Sequence, residues 1–184
     1  METKKSRKLI ALILLGLLTA FGLAIEIIAF IRFRSTYSSG SYLSLVVYTL
    51  TSLFLLYYAA VGYRKPHGNL MKYLFLMFAV CCLGGVVSIT AEQTVIDTIY
   101  NYLRGIVVLL VAYVAGRLDR FKQNVRLMSV IGILMLISSA VVCADYTDTL
   151  GFLFSFTYFV LWIDLMVAYI LRYKEHKEAG LADK

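Results

Sequence analysis

The first apolar stretch of the chain reads LIALILLGLLTAFGLAIEIIAFI, from Leu9 to Ile31, and Glu26 is its one charged residue. A helix of about 20 residues crosses a ~30 Å hydrocarbon core at ~1.5 Å per residue. Because lipid offers no partner for backbone N–H and C=O groups, a spanning segment must be a helix or a barrel strand, and barrel-type alternation is absent here. The stretch therefore predicts a transmembrane helix.

Five further apolar stretches follow, and together with the first they account for nearly all of the 184 residues. They run over 42–63, 70–89, 96–116, 127–144 and 150–171. Hydrophobic residues make up 61% of the chain, against about 45–50% in ordinary globular domains. The sequence predicts an all-α polytopic membrane protein: a six-transmembrane-helix bundle that forms a single integral membrane domain over 1–184, with a short cytoplasmic tail at 172–184.

The basic residues gather on one side of such a bundle. On that side lie Lys4, Lys5, Arg7, Lys8, Arg64, Lys65, Lys72, Arg117, Arg120, Lys122, Arg126, Arg172, Lys174, Lys177 and Lys184. On the opposite side lie Arg32, Arg34, Glu92, Asp97, Asp145 and Asp148. The positive-inside rule then predicts cytoplasmic N and C termini, in a multi-pass protein that we assign to the plasma membrane. Placed this way, the net charge of +7 favours anionic lipid headgroups as its partner and not nucleic acid.

Three charged residues fall inside predicted spans: Glu26, Arg104 and Asp164. An ionisable group at the centre of a membrane costs at least about 2.5–3.5 kcal/mol, so each of them should face a partner or a wet cavity. Glu26 and Arg104 lie at similar depths below the edge opposite the basic side. The sequence leaves two alternatives open for them, a structural ion pair and a polar pocket that opens outward.

Polar residues on the fourth span favour a pocket near Arg104. Asp97, Asn101 and Arg104 are spaced i, i+4, i+7, which places them on one helix face with Tyr100 beside it, and Tyr48 is available on the second span. In this hypothesis Arg104 binds an anionic or carboxylate-bearing group. Glu26 and Asp97 orient or gate the solute, and Asn101 donates hydrogen bonds to it.

Asp164 has no evident cation at its depth, about 12 Å from the basic edge at ~1.5 Å per residue. We expect it to be protonated through desolvation, to bond a hydroxyl such as that of Tyr58 or Ser129, or to lie on a proton or cation path. Thr157, seven residues earlier, shares its helix face and favours an interior polar track. Asp164 is therefore included among the ligand-binding candidates.

A different function is indicated by small residues on the first span. Gly16, Ala20 and Ala24 form a small-xxx-small stripe, a pattern that permits close helix approach. It predicts either packing within the bundle or docking of another membrane protein. The rival hypothesis is therefore a noncatalytic membrane subunit or sensor that docks its partner through the first helix.

Catalysis is disfavoured because no HExxH, no GxSxG and no paired aspartates on a membrane helix face occur. The spacing of Cys81, Cys82 and Cys143 fits neither a disulfide framework nor a metal site, and no cofactor or metal is expected. In span count, size and its helix-one stripe the chain resembles the membrane-embedded substrate-binding subunits of energy-coupling-factor vitamin transporters, without their ligand motifs. The leading hypothesis is binding or translocation of a small polar solute, including anions, through an outward-facing intramembrane pocket.

Overall fold

In a computed structural model, the protein is described over residues 2–33, 39–61, 70–87, 95–118, 120–144 and 147–178. Side chains are described from residue 9 onward, except those at 39–40, 61, 85–87, 97 and 175–178. Within these ranges the chain is helical, with short turns and no strand. The all-α prediction is thereby confirmed.

Seven helical segments make up the described chain. They are α1 (Glu2–Phe33), α2 (Ser39–Val61), α3 (Leu70–Val87), α4 (Val95–Ala115), α5 (Phe121–Cys143), α6 (Thr149–Ser155) and α7 (Thr157–Glu178). The last two are separated by Phe156 alone. The predicted span over 150–171 is therefore two consecutive helices and not one.

Five helical stretches are long and apolar enough to cross a membrane. They are Leu9–Phe33, Ser41–Ala60, Thr98–Ala115, Phe121–Cys143 and Thr149–Lys174, the last combining α6 with most of α7. The apolar part of α3 is shorter, covering Leu70–Gly84, and the end of the predicted 70–89 span lies outside the described residues. The described residues thus support a membrane protein with five helices of spanning length.

The helices form a ring in which sequence neighbours are also neighbours in space. α1 packs on α2, α2 on α3, α3 on α4 and α4 on α5, while α5 packs on α7 and α7 closes the ring against α1. α7 also contacts α2 and α3, so its buried face lies towards the interior of the bundle. α1 and α4 do not pack against each other in the described part of the chain. A direct contact between their backbones is therefore ruled out, and side chains of α7 come between them.

The interior contains an apolar core around Trp162, which has no exposed surface. Its ring centroid lies 5.8 Å from that of Phe75 and 5.3 Å from that of Phe78. The indole Nε1–H donates to the carbonyl oxygen of Met128 at 3.1 Å. This core ties α7 to α3 and α5 with the one polar atom of the indole satisfied.

The outer surface of α1 is strongly apolar. Its most exposed large side chains include Leu17 at 63% and Ile31 at 66%. At the end of the same helix, Arg32 pairs with Asp148 at 2.7 Å, and Asp148 caps α6 by accepting from the Gly151 N–H at 2.8 Å. Exposed leucine and isoleucine are suited to lipid contact, and the ion pair fixes α6 at the end of α1.

Candidate functional site

Two threonine–acid pairs join α1 to α7 in the interior. The hydroxyl of Thr157 on α7 donates to Glu26 Oε2 on α1 at 3.0 Å. The hydroxyl of Thr19 on α1 donates to Asp164 Oδ2 on α7, also at 3.0 Å. All four residues are buried, with at most 2% exposure. Each helix therefore contributes one hydroxyl group and one carboxyl group to this contact.

Both pairs follow from the spacing of residues on antiparallel helices. Thr19 and Glu26 are seven residues apart on α1, and Thr157 and Asp164 are seven apart on α7. Seven residues are two turns, so each helix presents both of its polar groups on one face. Because the helices are antiparallel, the step from Thr19 to Glu26 along α1 matches the step from Asp164 back to Thr157 along α7. We call this four-residue contact the acid–threonine seam.

Tyr48 of α2 lies over the middle of the seam and is 1% exposed. Its hydroxyl donates to the carbonyl oxygen of Thr157 at 3.3 Å. A Cβ atom built on Gly22, which lies between Thr19 and Glu26 in the sequence, would come within 2.8 Å of the Tyr48 oxygen. The absence of a side chain at Gly22 is therefore what lets the phenol approach α1.

Arg104 of α4 lies in an aromatic cage and is 1% exposed. The guanidinium carbon lies 4.5 Å from the ring centroid of Tyr158 and 4.9 Å from that of Tyr100. Its one hydrogen bond among the described side chains is from Nη1 to the Cys82 sulfur at 3.5 Å, and Nε is buried without an acceptor. Sulfur is a weak acceptor, and the hydrogen bonds of the described side chains give the five N–H donors no oxygen acceptor.

The cage and the seam meet where α7 begins. Thr157 bonds Glu26, and the next residue, Tyr158, lies against Arg104 and also against Tyr48, whose ring centroid is 5.4 Å away. Glu26 and Arg104 form no ion pair with each other in the described structure. The structural ion-pair alternative for Glu26 and Arg104 is therefore not observed.

The structure brings together four of the seven ligand-site candidates: Glu26, Tyr48, Tyr100 and Arg104. Asp164 lies farther along the seam and bonds a hydroxyl as expected, but its partner is Thr19 and not Tyr58 or Ser129. Those two hydroxyls donate instead to the backbone carbonyls of Ala168 and Val125.

No described contact assigns a role to the two candidates that remain on α4. Asn101 is half-buried, and none of the described hydrogen bonds at the cage or seam involves it. Asp97 lies within the backbone of α4, but its side chain lies outside the described residues. Their roles in orienting a solute stay predictions.

The helix-one stripe is split between two environments. Gly16 is half-buried, and a Cβ there would lie 3.8 Å from the Cβ of Ala59 on α2. Ala20 and Ala24 are exposed on the surface of the bundle. Only the first member of the stripe therefore contributes to packing within the bundle.

Sequence reasoning missed three residues that the site depends on: Thr19, Cys82 and Tyr158. The i, i+7 spacing noted for Thr157 and Asp164 also occurs at Thr19 and Glu26, and this repetition was the available signal. Nothing in the sequence distinguishes Tyr158 from the other tyrosines. In the described residues, no group of three or more His, Cys, Asp or Glu is placed to hold a metal ion.

Comparisons with protein-family models, with curated proteins and with solved structures find no match for this chain. Its function has to be inferred from the cage and the seam themselves.

Proposed function

We propose that the protein binds or translocates a small polar solute, including anions, at the Arg104 cage inside the membrane. In this proposal the chain crosses the plasma membrane six times and has both termini in the cytoplasm. The basic residues then face anionic headgroups on the cytoplasmic side, and the cage lies nearer the outer face.

The observation that carries the proposal is the state of Arg104. A guanidinium excluded from water normally has a carboxylate, phosphate or carbonyl partner, because an unpaired buried charge is costly. Here the described surroundings supply two aromatic rings and one sulfur, while Nε has no acceptor. A ligand carboxylate or phosphate would supply the missing oxygens and would bind the planar fork through two parallel N–H···O bonds.

Glu26 contributes selectivity in this proposal. It accepts a hydrogen bond from Thr157, whose neighbour in the chain, Tyr158, lies against Arg104, and it does not occupy the guanidinium donors. A ligand that carries both an acidic and a hydrogen-bond-donating group would complement both residues. Tyr100 and Tyr158 give flat apolar walls that exclude water and strengthen the charged contact.

A thermal-shift screen on the purified full chain tests the proposal. The probes are inorganic phosphate, sulfate, small mono- and dicarboxylates, amino acids and neutral polar solutes. A solute present at about 100 times its Kd adds roughly 2.7 kcal/mol to the stability of a protein that binds it only when folded. The same screen is run on Arg104→Met and, as a matched control, on Arg126→Met, which changes an exposed arginine on α5.

We expect at least one acidic solute to stabilise the wild type and Arg126→Met but not Arg104→Met. The proposal fails if no probe stabilises the wild type. It fails equally if Arg104→Met responds to the solute as the wild type does.

The exposure of Ala20 and Ala24 favours a second candidate function, that of a noncatalytic subunit or sensor docked through α1. In that case the protein extracted from native membranes in mild detergent migrates in a larger complex. The double variant Ala20→Leu and Ala24→Leu releases it to a smaller size, because leucine prevents close helix approach. An unchanged size would leave these alanines as lipid-facing residues.

A further inference from the structure

The acid–threonine seam contains fewer hydroxyl protons than acceptors. The Thr157 hydroxyl lies 3.0 Å from Glu26 Oε2 and 2.9 Å from the carbonyl oxygen of Phe154. The Thr19 hydroxyl lies 3.0 Å from Asp164 Oδ2 and 2.8 Å from the carbonyl oxygen of Leu15. A hydroxyl has one proton to donate, so each threonine satisfies one of its two acceptors fully or shares the proton between them.

An added proton resolves this deficit in each pair. If the carboxyl group carries the proton, it donates to the threonine oxygen, and the hydroxyl then donates to the backbone carbonyl. If the proton leaves, the hydroxyl turns towards the carboxylate and its backbone bond is lost. Both arrangements use the observed atom positions, so the pair accommodates either proton count by a rotation of the hydroxyl alone.

Asp164 adds an independent observation. Asp164 is 1% exposed, and the second oxygen of its carboxyl group, Oδ1, is buried without a hydrogen-bond partner in the described structure. Threonine therefore satisfies only one side of a carboxyl group that is excluded from water. A buried acceptor without a partner costs about 1–3 kcal/mol, and more for a charged group, so the site is left open to an additional donor.

The charged and titratable side chains near the Glu26 end of the seam come from four elements. They are Tyr48 from α2, Cys81 from α3, Arg104 from α4 and Tyr158 from α7. Tyr48 experiences the charges of both Glu26 and Asp164, and its hydroxyl lies over Gly22 between the two pairs. The phenol is therefore placed to link the two ends of the seam, which are about 10 Å apart at ~1.5 Å per residue.

We propose that the acid–threonine seam is a proton-exchange site, in which Asp164 and Glu26 each take up and release a proton while Thr19 and Thr157 switch the acceptor of their hydroxyl groups. No bond other than O–H is formed or broken, and each proton comes from and returns to water. The link to solute movement rests on the proposed function, whereas proton exchange itself does not require any solute.

Infrared difference spectroscopy tests this proposal on the full chain in vesicles of phosphatidylcholine and phosphatidylglycerol, with no solute added. Stepwise pH changes are expected to interconvert protonated-carboxyl and carboxylate absorption from two groups. Asp164→Asn should remove one protonated-carboxyl band and Glu26→Gln the other. Asp148→Asn, which alters a partly exposed carboxylate at the end of the bundle, should leave both bands in place.

The hydroxyl switch is tested separately with Thr19→Val and Thr19→Ser. Loss of the hydroxyl in Thr19→Val should move the midpoint of the Asp164 band by about one pH unit, whereas Thr19→Ser keeps the hydroxyl and should restore it. These variants keep both carboxyl groups, so they test the proposal even if Asp164→Asn fails to fold. In D₂O, both bands should shift within the time of buffer exchange.

Three results would overturn the proposal. The first is that neither band titrates over the pH range in which the protein stays folded, and the second is that the bands do not shift in D₂O. The third is a midpoint that depends on sodium concentration when sodium replaces choline, which would make the seam a sodium site. A titrating seam in a protein that binds no probe in the thermal-shift screen would leave proton exchange standing and refute the solute function alone.

Discussion

The Trp162 core and the Arg104 cage both consist of a large planar group held between aromatic rings, but they differ in how their polar atoms are treated. The indole N–H of Trp162 has a carbonyl partner at 3.1 Å, and the aromatic rings packed against the indole are those of Phe75 and Phe78. Arg104 lies between Tyr100 and Tyr158, with a sulfur as its one hydrogen-bond acceptor among the described residues. A site built only for stability satisfies its buried polar atoms. The cage departs from that rule, and the proposed function rests on this difference.

Replacing Trp162 should have the largest effect on stability. Trp162→Ala removes a fully buried side chain from the contacts of α7 with α3 and α5. We expect a loss of about 3 kcal/mol, the lower end for such a change in a water-soluble core, because separated helices would stay in lipid. Reversible unfolding in mixed micelles measures it. The neighbouring Ile163→Ala, at a side chain 37% exposed, is the control and should cost much less. Equal losses would contradict the assignment of Trp162 as the core residue.

Filling the space at Gly22 should have an intermediate effect that connects the two regions. A methyl group there would meet the Tyr48 hydroxyl at 2.8 Å, and the buried Tyr48 ring is packed edge-on against Tyr158. We expect Gly22→Ala to cost about 1–3 kcal/mol, as overpacking does elsewhere, and to disturb solute binding through Tyr158.

The control for this change is Gly105→Ala on α4, where an added Cβ meets nothing within 4 Å. We expect its unfolding free energy and its solute response to match those of the wild type. If Gly22→Ala behaves in the same way, Tyr48 does not depend on the gap at Gly22.

Replacing Arg104 should have the smallest effect on stability and thereby sharpen the contrast with Trp162. Arg104→Met keeps the length of the side chain and removes a buried charge to which the described residues supply no oxygen partner. Replacing buried charges by apolar residues of similar volume is often neutral or stabilising, so we expect a change of at most about 1 kcal/mol, or a gain. The same unfolding assay measures it. A loss as large as that of Trp162→Ala would make Arg104 a structural residue.

The sequence was sufficient to predict the helices and insufficient to predict the break between α6 and α7. Apolar length determines where a helix can span, and that property is read directly from residue type. The break has no proline. The residues in the sequence that indicate the break are two hydroxyl-bearing ones, Ser155 and Thr157. Their hydroxyls donate to the backbone carbonyls of Phe152 and Phe154, three residues earlier, and this pattern bends helices. Such a bond is optional for each hydroxyl, so the residue types alone do not determine it.

For the site, counting depth along each helix placed Glu26 and Arg104 at similar levels but could not supply their contacts. Glu26 and Arg104 lie in neighbouring surroundings, as their depths indicated, yet α1 and α4 do not pack together and Thr157 and Tyr158 lie between them. Depth is a property of one helix, whereas a pair depends on the order of helices around the ring. That order follows from packing between distant segments, which a single sequence does not display.

The seam has a consequence for biosynthesis. Glu26 and Thr157 are 131 residues apart in the chain, and ribosomes add about 5–20 residues per second. Roughly 7–26 s therefore pass after Glu26 is made before its partner exists. During that interval the strong hydropathy of the first stretch must keep α1 inserted despite the unpaired acid. Glu26 therefore gains its hydrogen-bond partner only when α7 closes the ring. A chain stopped short of Thr157 would present Glu26 to lipid and to membrane quality control.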